Sequence, residues 1–501
     1  MTMRRAVAVA AAVCALAVGP VPANAATIPV ADSSSFTSAL ASARPGDVIQ
    51  LAAATFPRLT VSAVKYSTPV TIVGSQGTVV GGFSISHARN VTISGLTISP
   101  ANGIDAVTTV DKSEGISFDR VQFVGANPGG GVGLDISSSS SSIQVTGSEF
   151  TLCHSFCLQP SGSGITVTTT NFHDCYDCDM IRGGGSGVTL SGNTFVRALK
   201  GPGGNHNDLL QITGGGPWTI SGNHFGTHEH GAAQIYVNPG SGNSSKPVHD
   251  LTIASNLFDG DTGYAVRLGV GSASAVGAPT AVRIVNNTIV SGKNASVFLV
   301  SGWASVAPTA RPIVANNIIG VSSRQCELAT WSHNLDLTGT SCPGDSSGTL
   351  SIGTDGVPAA SPLIVGQGDP AYAPKTDFFG HPRNTAAPTI GAVELGGAPP
   401  PATLRLTAPK AMSARLRQLK AAGWRLTVPL TLKGAATLVV HVQVGGKSVT
   451  TTTRRTVGLT AYRLVLVLPA AARRAGTVTI AMAATSGAHV VKATTVVKIR
   501  R

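Results

Sequence analysis

Val188-Thr-Leu-Ser-Gly-Asn193-Thr-Phe195, Trp218-Thr-Ile-Ser-Gly-Asn223-His-Phe225 and Leu251-Thr-Ile-Ala-Ser-Asn256-Leu-Phe258 are three copies of one phrase. Two later copies end in Asn287-Thr-Ile289 and Asn317-Ile-Ile319, and earlier ones end in Ile98, Phe123, Phe150 and Phe172. Successive apolar endpoints are 25, 27, 22, 23, 30, 33, 31 and 30 residues apart. A period of this length marks a solenoid, and a Val/Ile/Thr-rich alternating unit marks strands rather than helices.

Alternation explains the repeat. Val188 and Leu190 point one way and Thr189 and Ser191 the other, so each coil has an apolar face that it cannot bury alone. Coils stacked at the ~4.8 Å strand spacing bury it against one another. Asn193, Asn223, Asn256, Asn287 and Asn317 then fall at one corner of consecutive coils. Asn tolerates left-handed backbone there, and its amide can bond the next Asn in a ladder. Coils of this length with three strand-like faces predict an all-β chain built on a right-handed parallel β-helix.

Residues 1–25 read as a signal peptide. Arg4-Arg5 supply the charge, Ala6 to Val18 the apolar run, and Ala23-Asn24-Ala25 the cleavage site. The apolar run is too short to span a bilayer, and no later stretch reaches ~20 apolar residues. A secreted, extracellular or cell-surface protein is expected. Six of the seven cysteines follow the leader, an even number that suits disulfides in an oxidising compartment. Cys153, Cys157, Cys175 and Cys178 are expected to pair among themselves, either across stacked coils or locally, and Cys326 with Cys342. A zinc site from the first four is the alternative.

Charge divides the chain. Residues 402–501 hold 17 Lys/Arg and no Asp/Glu, whereas the whole chain is +13, which leaves −4 for residues 1–401. A basic tail behind a mildly acidic solenoid, without aromatic-basic interleaving, argues against nucleic acid and for a solvated surface or one facing anionic cell-wall polymers. The expected organisation is a β-helix over 26–395 with an N-terminal capping helix, a linker over 396–402, and a basic immunoglobulin-like β-sandwich of about seven strands over 403–501. Phe36, Leu40 and Ala43 give the capping helix its spacing, and Arg44-Pro-Gly-Asp47 ends it before Val48-Ile-Gln-Leu51 opens the first coil.

With Pro45-Gly-Asp-Val-Ile-Gln-Leu51, Pro69-Val-Thr-Ile72 and Gly95-Leu-Thr-Ile98, the N-terminal part resembles secreted polysaccharide lyases of the alginate lyase and chondroitinase B type. Gly380-His-Pro-Arg383 and Ile390-Gly-Ala-Val-Glu394 resemble the closing segment of bacterial surface-anchored β-helix proteins. The resemblance covers roughly residues 30–395 and implies a single-stranded, pectin-lyase-like solenoid. It also implies lyase chemistry by a Lys and an Arg on neighbouring coils, with calcium or basic groups neutralising a uronate carboxylate. It fixes no residue of this chain in those roles.

Aligning the coils on their Asn positions brings Asp179-Met-Ile-Arg182, Asp208-Leu-Leu-Gln211 and Tyr264-Ala-Val-Arg267 to one face, with Asp179 over Asp208 and Arg182 over Gln211. The coils lengthen after Phe195, so Lys200, His206 and His230 would border this face on loops. Lys200, His206, Asp208 and Arg182 are the catalytic candidates. Gln211, His230, Tyr236 and Arg267 are the candidates for substrate binding, and Asp179 with Asp208 could hold Ca²⁺. A base would take the proton beside a uronate carboxylate while Arg182 or Arg267 neutralises the developing charge. On a neutral glycan, Asp179 and Asp208 could instead serve as hydrolase acid and base. A non-catalytic adhesin or structural β-helix, its polar face merely solvated, is the third reading. Trp218 falls in an inward phase and reads as core.

Overall fold

The computed structural model describes residues 25–100, 106–125, 132–200, 207–229, 233–241, 246–260, 263–271, 277–290, 294–323, 325–339, 341–353, 356–395, 405–421, 424–433, 436–456, 462–473, 476–486 and 489–500. The leader before residue 25 and the linker at 396–402 lie outside them.

The repeat forms a right-handed parallel β-helix with three faces. The first face is a 13-stranded parallel sheet running from Thr27–Val30 to Thr330–Ser332. The second carries the endpoints of the repeated phrase. Phe123, Phe150, Phe172, Phe195, Phe225 and Phe258 pair in register, followed by Ile289 and Ile319. Their rings stack within 11° of parallel, with centroids 4.2 to 4.9 Å apart. The third face runs through Leu134, Leu158, Ile181, Leu210, Ile235, Val266 and Val297. All of these are buried, so the three inward columns make one continuous core.

The Asn ladder forms, and it extends beyond the five expected rungs. Asn193 donates from both its amide N–H and Nδ2 to Asn223 Oδ1 at 2.9 Å, and its Nδ2 also reaches Val167 O. The same pattern repeats through Asn256, Asn287, Asn317 and Asn334, and Asp345 receives the last pair of donors. Each rung satisfies buried groups that no water reaches. The left-handed backbone expected of these residues belongs instead to the residue before each one: Gly192, Gly222, Ser255, Asn286 and Asn316. The ladder Asn is kept for its amide.

The capping helix spans Ser33–Ser42, with Asp32 as N-cap accepting from the Ser35 amide, and it buries Phe36, Ala39 and Leu40. Ala43 is its C-cap rather than its last turn. A strand missed from sequence, Thr27–Val30, precedes it and pairs parallel with Val48–Leu51, so the solenoid begins one strand earlier than expected.

The cysteines pair locally: Cys153 with Cys157, Cys175 with Cys178, and Cys326 with Cys342, at Cα separations of 5.2, 5.9 and 5.4 Å. Stacking places the two pairs on adjacent coils, yet each bond closes within its own coil.

From Asp369 to Leu395 the chain returns along the ladder corner as a strap. Asn316 exchanges bonds with Asp369, Asn286 Nδ2 donates to Thr389 O, and Ser255 Oγ donates to Thr376 O. This segment contains both closing phrases. Beyond it, a three-stranded and a five-stranded sheet share one apolar core that includes Val428, Val440, Leu466 and Ile480. This is the expected small immunoglobulin-like sandwich, with eight strands among the described residues. Its first long-sheet strand, Ala411–Arg415, pairs parallel to the last, His489–Arg500.

Candidate functional site

On the third face each coil contributes a triplet of apolar, outward and apolar residues. The outward members form a row. In register from one end, Ser84, Thr109, Asp135 and Gln159 stand side by side. Arg182 follows Gln159, because Leu158 pairs with Ile181. Gln211, Tyr236, Arg267 and Phe298 complete the row. Parallel strands place neighbours ~4.8 Å apart, so from Asp135 to Phe298 the row runs along the solenoid for roughly 30 Å. Everything before Asp135 is a small hydroxyl, and everything from it onward is charged, amide-bearing or aromatic.

This row contains four of the sequence candidates, Arg182, Gln211, Tyr236 and Arg267, on four successive coils. Arg182 lies 3.9 Å from Asp179, and its side chain is 43% exposed. The guanidinium of Arg267 sits 4.8 Å from the Tyr236 ring centroid and 5.8 Å from that of Tyr264. Lys200 is exposed where the second-face strand ends, and its amide donates to Glu229 Oε2 at 3.1 Å. His206 and His230 lie outside the described residues.

Asp179 and Asp208 do stack, but not as two solvent-facing carboxylates. The Asp208 amide donates to Asp179 Oδ1 at 2.9 Å, and the Ala233 amide donates to Asp208 Oδ1 at 2.8 Å. Both side chains are buried at the corner behind the row. They form a short acidic ladder analogous to the Asn ladder. An oxygen of each is already committed to a backbone amide, and Asp179 faces Arg182. Calcium takes six to eight oxygens, so this pair does not fit a calcium ion. Among the described residues the only cluster of three potential metal ligands is Cys157, Cys175 and Cys178, whose sulfurs are in disulfides.

Two participants, Asp135 and Phe298, were missed from sequence, and two more, Gln159 and His228, were given no role. Gln159, Asp135 and Phe298 belong to the row, and burial raises the Asp135 carboxyl above its usual range. The apolar-X-apolar triplets Leu134-Asp135-Ile136, Leu158-Gln159-Pro160 and Val297-Phe298-Leu299 carry the signal that would have found them. His228 is the fourth. It is buried beside Asp208, and neither ring nitrogen has a hydrogen-bond partner.

Burial drives His228 down to about 4, partly opposed by the Asp208 charge. A depressed histidine contributes stability that is complete above pH 6.5 and is lost as pH falls toward 4. A shift of this size corresponds to about 3 kcal/mol. Denaturation midpoints measured from pH 7 to 4 should therefore fall faster for the wild type than for His228→Leu, which cannot titrate there. Parallel curves would show that His228 is not the group responsible.

No protein-family model matches the sequence, and no curated protein does. Among solved structures the chain is similar to a PL6-family alginate lyase, AlyGC, at 14% identity and a TM-score of 0.39, covering 79% of this chain. It spans 63% of that lyase's length. It is also similar to the PL6-family polysaccharide lyase Pedsa3628 from Pseudopedobacter saltans, at 15% identity and a TM-score of 0.34, over 72% of this chain and 99% of that one. Pectate lyase C from Erwinia chrysanthemi, in a structure with 30 mM Ca²⁺, is similar at 13% identity and a TM-score of 0.29, over 47% and 69% of the two chains. These are likenesses of fold.

Proposed function

We propose that the protein acts outside the cytoplasm on an acidic polysaccharide laid along the third-face row, and cleaves it by elimination. The observation that carries this reading is the placement of Arg182 and Arg267 in one in-register row with half-buried Gln159 and Tyr236 and buried Gln211 between and beside them. Two guanidiniums on one face, neither buried in a salt-bridge core, suit the planar carboxylates of a uronan. Three disulfides fit the exported location.

In the elimination, Arg182 neutralises the uronate carboxylate and so acidifies the neighbouring C5 proton. A base, Lys200 at the end of its second-face strand or else His206 or His230, takes that proton. The C4–O bond then breaks, leaving a double bond between C4 and C5, and the departing oxygen takes a proton. Gln211, Tyr236 and Arg267 orient the chain. Asp208 positions the strand that carries Gln211 through its bond to the next coil. The basic C-terminal domain, +17 without a single acid, holds the protein to anionic cell-wall polymers.

Purified protein incubated with uronans and with neutral glycans should release unsaturated ends, seen by ultraviolet absorbance, only from the former. Arg182→Ala should lower that rate by about 10²–10³-fold with little change in thermal midpoint. Retention on wall polymers should fall steeply between low and physiological salt, as screening requires. New reducing ends without absorbance would replace elimination by hydrolysis. Binding without either product would make the protein an adhesin.

A further inference from the structure

The row does not simply run out at Phe298. Its last two members open into a pocket of about 520 Å³, lined by Arg267, Phe298, Ser301, Ala304, Gln325 and Glu327 among others. That volume is in the range of small-molecule sites. We infer that this pocket is a subsite for a single carboxylate-bearing sugar, with Arg267 receiving the carboxylate and Phe298 the apolar face of the ring. The inference rests on the acidic-polysaccharide reading above and names one place where that selectivity resides.

Arg267 is unusual among the basic residues of the solenoid. Its Nε is buried without a hydrogen-bond partner, and among the described residues no carboxylate lies within ion-pair distance. Tyr236 and Tyr264 hold the guanidinium by its faces, and Tyr264 is itself stacked on Phe298 at 4.6 Å. The rings fix the plane of the guanidinium but satisfy none of its N–H groups. A buried donor left without an acceptor is destabilising, and more so when it is charged. A planar carboxylate presented at the pocket would take two of those donors at once, which a lone hydroxyl cannot do.

The wall opposite is built to stay in place. The turn at Ser301–Ser305 is anchored by Trp303, buried, with its Nε1 donating to Leu268 O at 3.1 Å. The turn at Cys326–Leu328 is held by the Cys326–Cys342 disulfide and by Arg311, which donates to Glu327 O. Gln325 completes the wall: its side-chain amide donates to Leu299 O at 2.7 Å and accepts from Leu299 N at 2.8 Å, as an added strand would. The Glu327 carboxylate, exposed at the rim, excludes a second anionic group and can accept from sugar hydroxyls. One cation within and one anion at the rim select a unit with a single acidic substituent.

Calorimetric titration of the full-length protein with galacturonate and mannuronate trisaccharides, a galactose trisaccharide and its 6-sulfated counterpart tests this. Wild type should bind a uronate trisaccharide and neither of the others at comparable strength. Arg267→Gln should weaken that binding at least about tenfold and Arg267→Lys less, because Lys keeps the charge while losing the planar fork. Phe298→Ala should weaken it about three- to tenfold through lost ring contact. Unchanged thermal midpoints establish that the variants fold. If Arg182→Ala loses uronate binding while Arg267→Gln retains it, the subsite is wrong and the acidic-polysaccharide reading stands. Preference for the sulfated trisaccharide would overturn the carboxylate assignment, and failure of wild type to bind any uronate would overturn both.

Discussion

Phe225→Ala lowers the free energy of unfolding by about 3–5 kcal/mol, the cost of a large buried aromatic replaced by a cavity. The ring has no exposed surface and is stacked at 4.9 Å on Phe195 below and at 4.9 Å on Phe258 above. Its loss removes two aromatic contacts as well as the transfer term, and each such pair adds about 0.5–1.5 kcal/mol beyond area. Collapse cannot relieve the cavity, because the backbone on either side is fixed by the ladder bonds of Asn223 to Asn256 and of Asn193 to Asn223. Denaturant unfolding of wild type, Phe225→Ala and Phe225→Leu checks this. The leucine variant should recover more than half of the loss, and a loss below about 1 kcal/mol for alanine would mean that the column does not bear on the core.

The column was legible because one residue type recurs at one phase of the phrase. Phe195, Phe225 and Phe258 each sit two places after a ladder Asn, so spacing alone put them in register. Ladder and solenoid followed from the same fact. What sequence could not supply was the division of labour at the corner. Gly192-Asn193 and Asn286-Asn287 both contain residues suited to left-handed backbone, and only in the folded chain is it settled that the first of each pair adopts it. The strand at Thr27–Val30 was missed for a related reason: it precedes the helix that caps it and has no repeated phrase of its own.

The candidate site was legible in part. Arg182, Gln211 and Arg267 were placed on one face by counting from the Asn positions, and the registers agree. Asp179 and Asp208 were placed correctly in height and wrongly in environment. Charge in the sequence suggested solvent, whereas each carboxylate accepts an amide of the next coil and is buried. A short acidic side chain at a solenoid corner can do the work of an asparagine, and the final rung, Asp345, shows this directly. Burial raises that carboxyl to about 6, so its contribution to stability is complete below about 4 and declines as pH rises through 6.

Arg383→Ala detaches the strap and costs about 3–5 kcal/mol, the penalty for removing one partner from a buried ionic cluster. The side chain is 1% exposed and lies 3.6 Å from Glu394, which is 3% exposed. It donates to Thr389 O, Gly391 O, Ala392 O and Ser255 Oγ, so it ties the phrase containing Ile390 to the corner of the coil that carries Asn256. Burial lowers the guanidinium to about 10, with Asp377 and Glu394 acting against the shift, and the group remains charged at neutral pH. Without it, Glu394 loses its ion-pair partner, Asp377 loses a cationic neighbour, and three carbonyls lose one donor each. The double variant Arg383→Ala/Glu394→Gln should recover part of the loss, because it removes one of the stranded charges. Hydrogen exchange separates this from general damage. Amides of the strap that bond to the coils, Gly391 to Asn316 O and Ala392 to Thr288 Oγ1, should exchange faster, while those of the ladder from Asn193 to Asn256 stay protected. The strap lies on the corner between the first and second faces, away from the row on the third. Glycan binding below the melting transition should therefore survive in Arg383→Ala, and its loss there would show that strap and row are coupled.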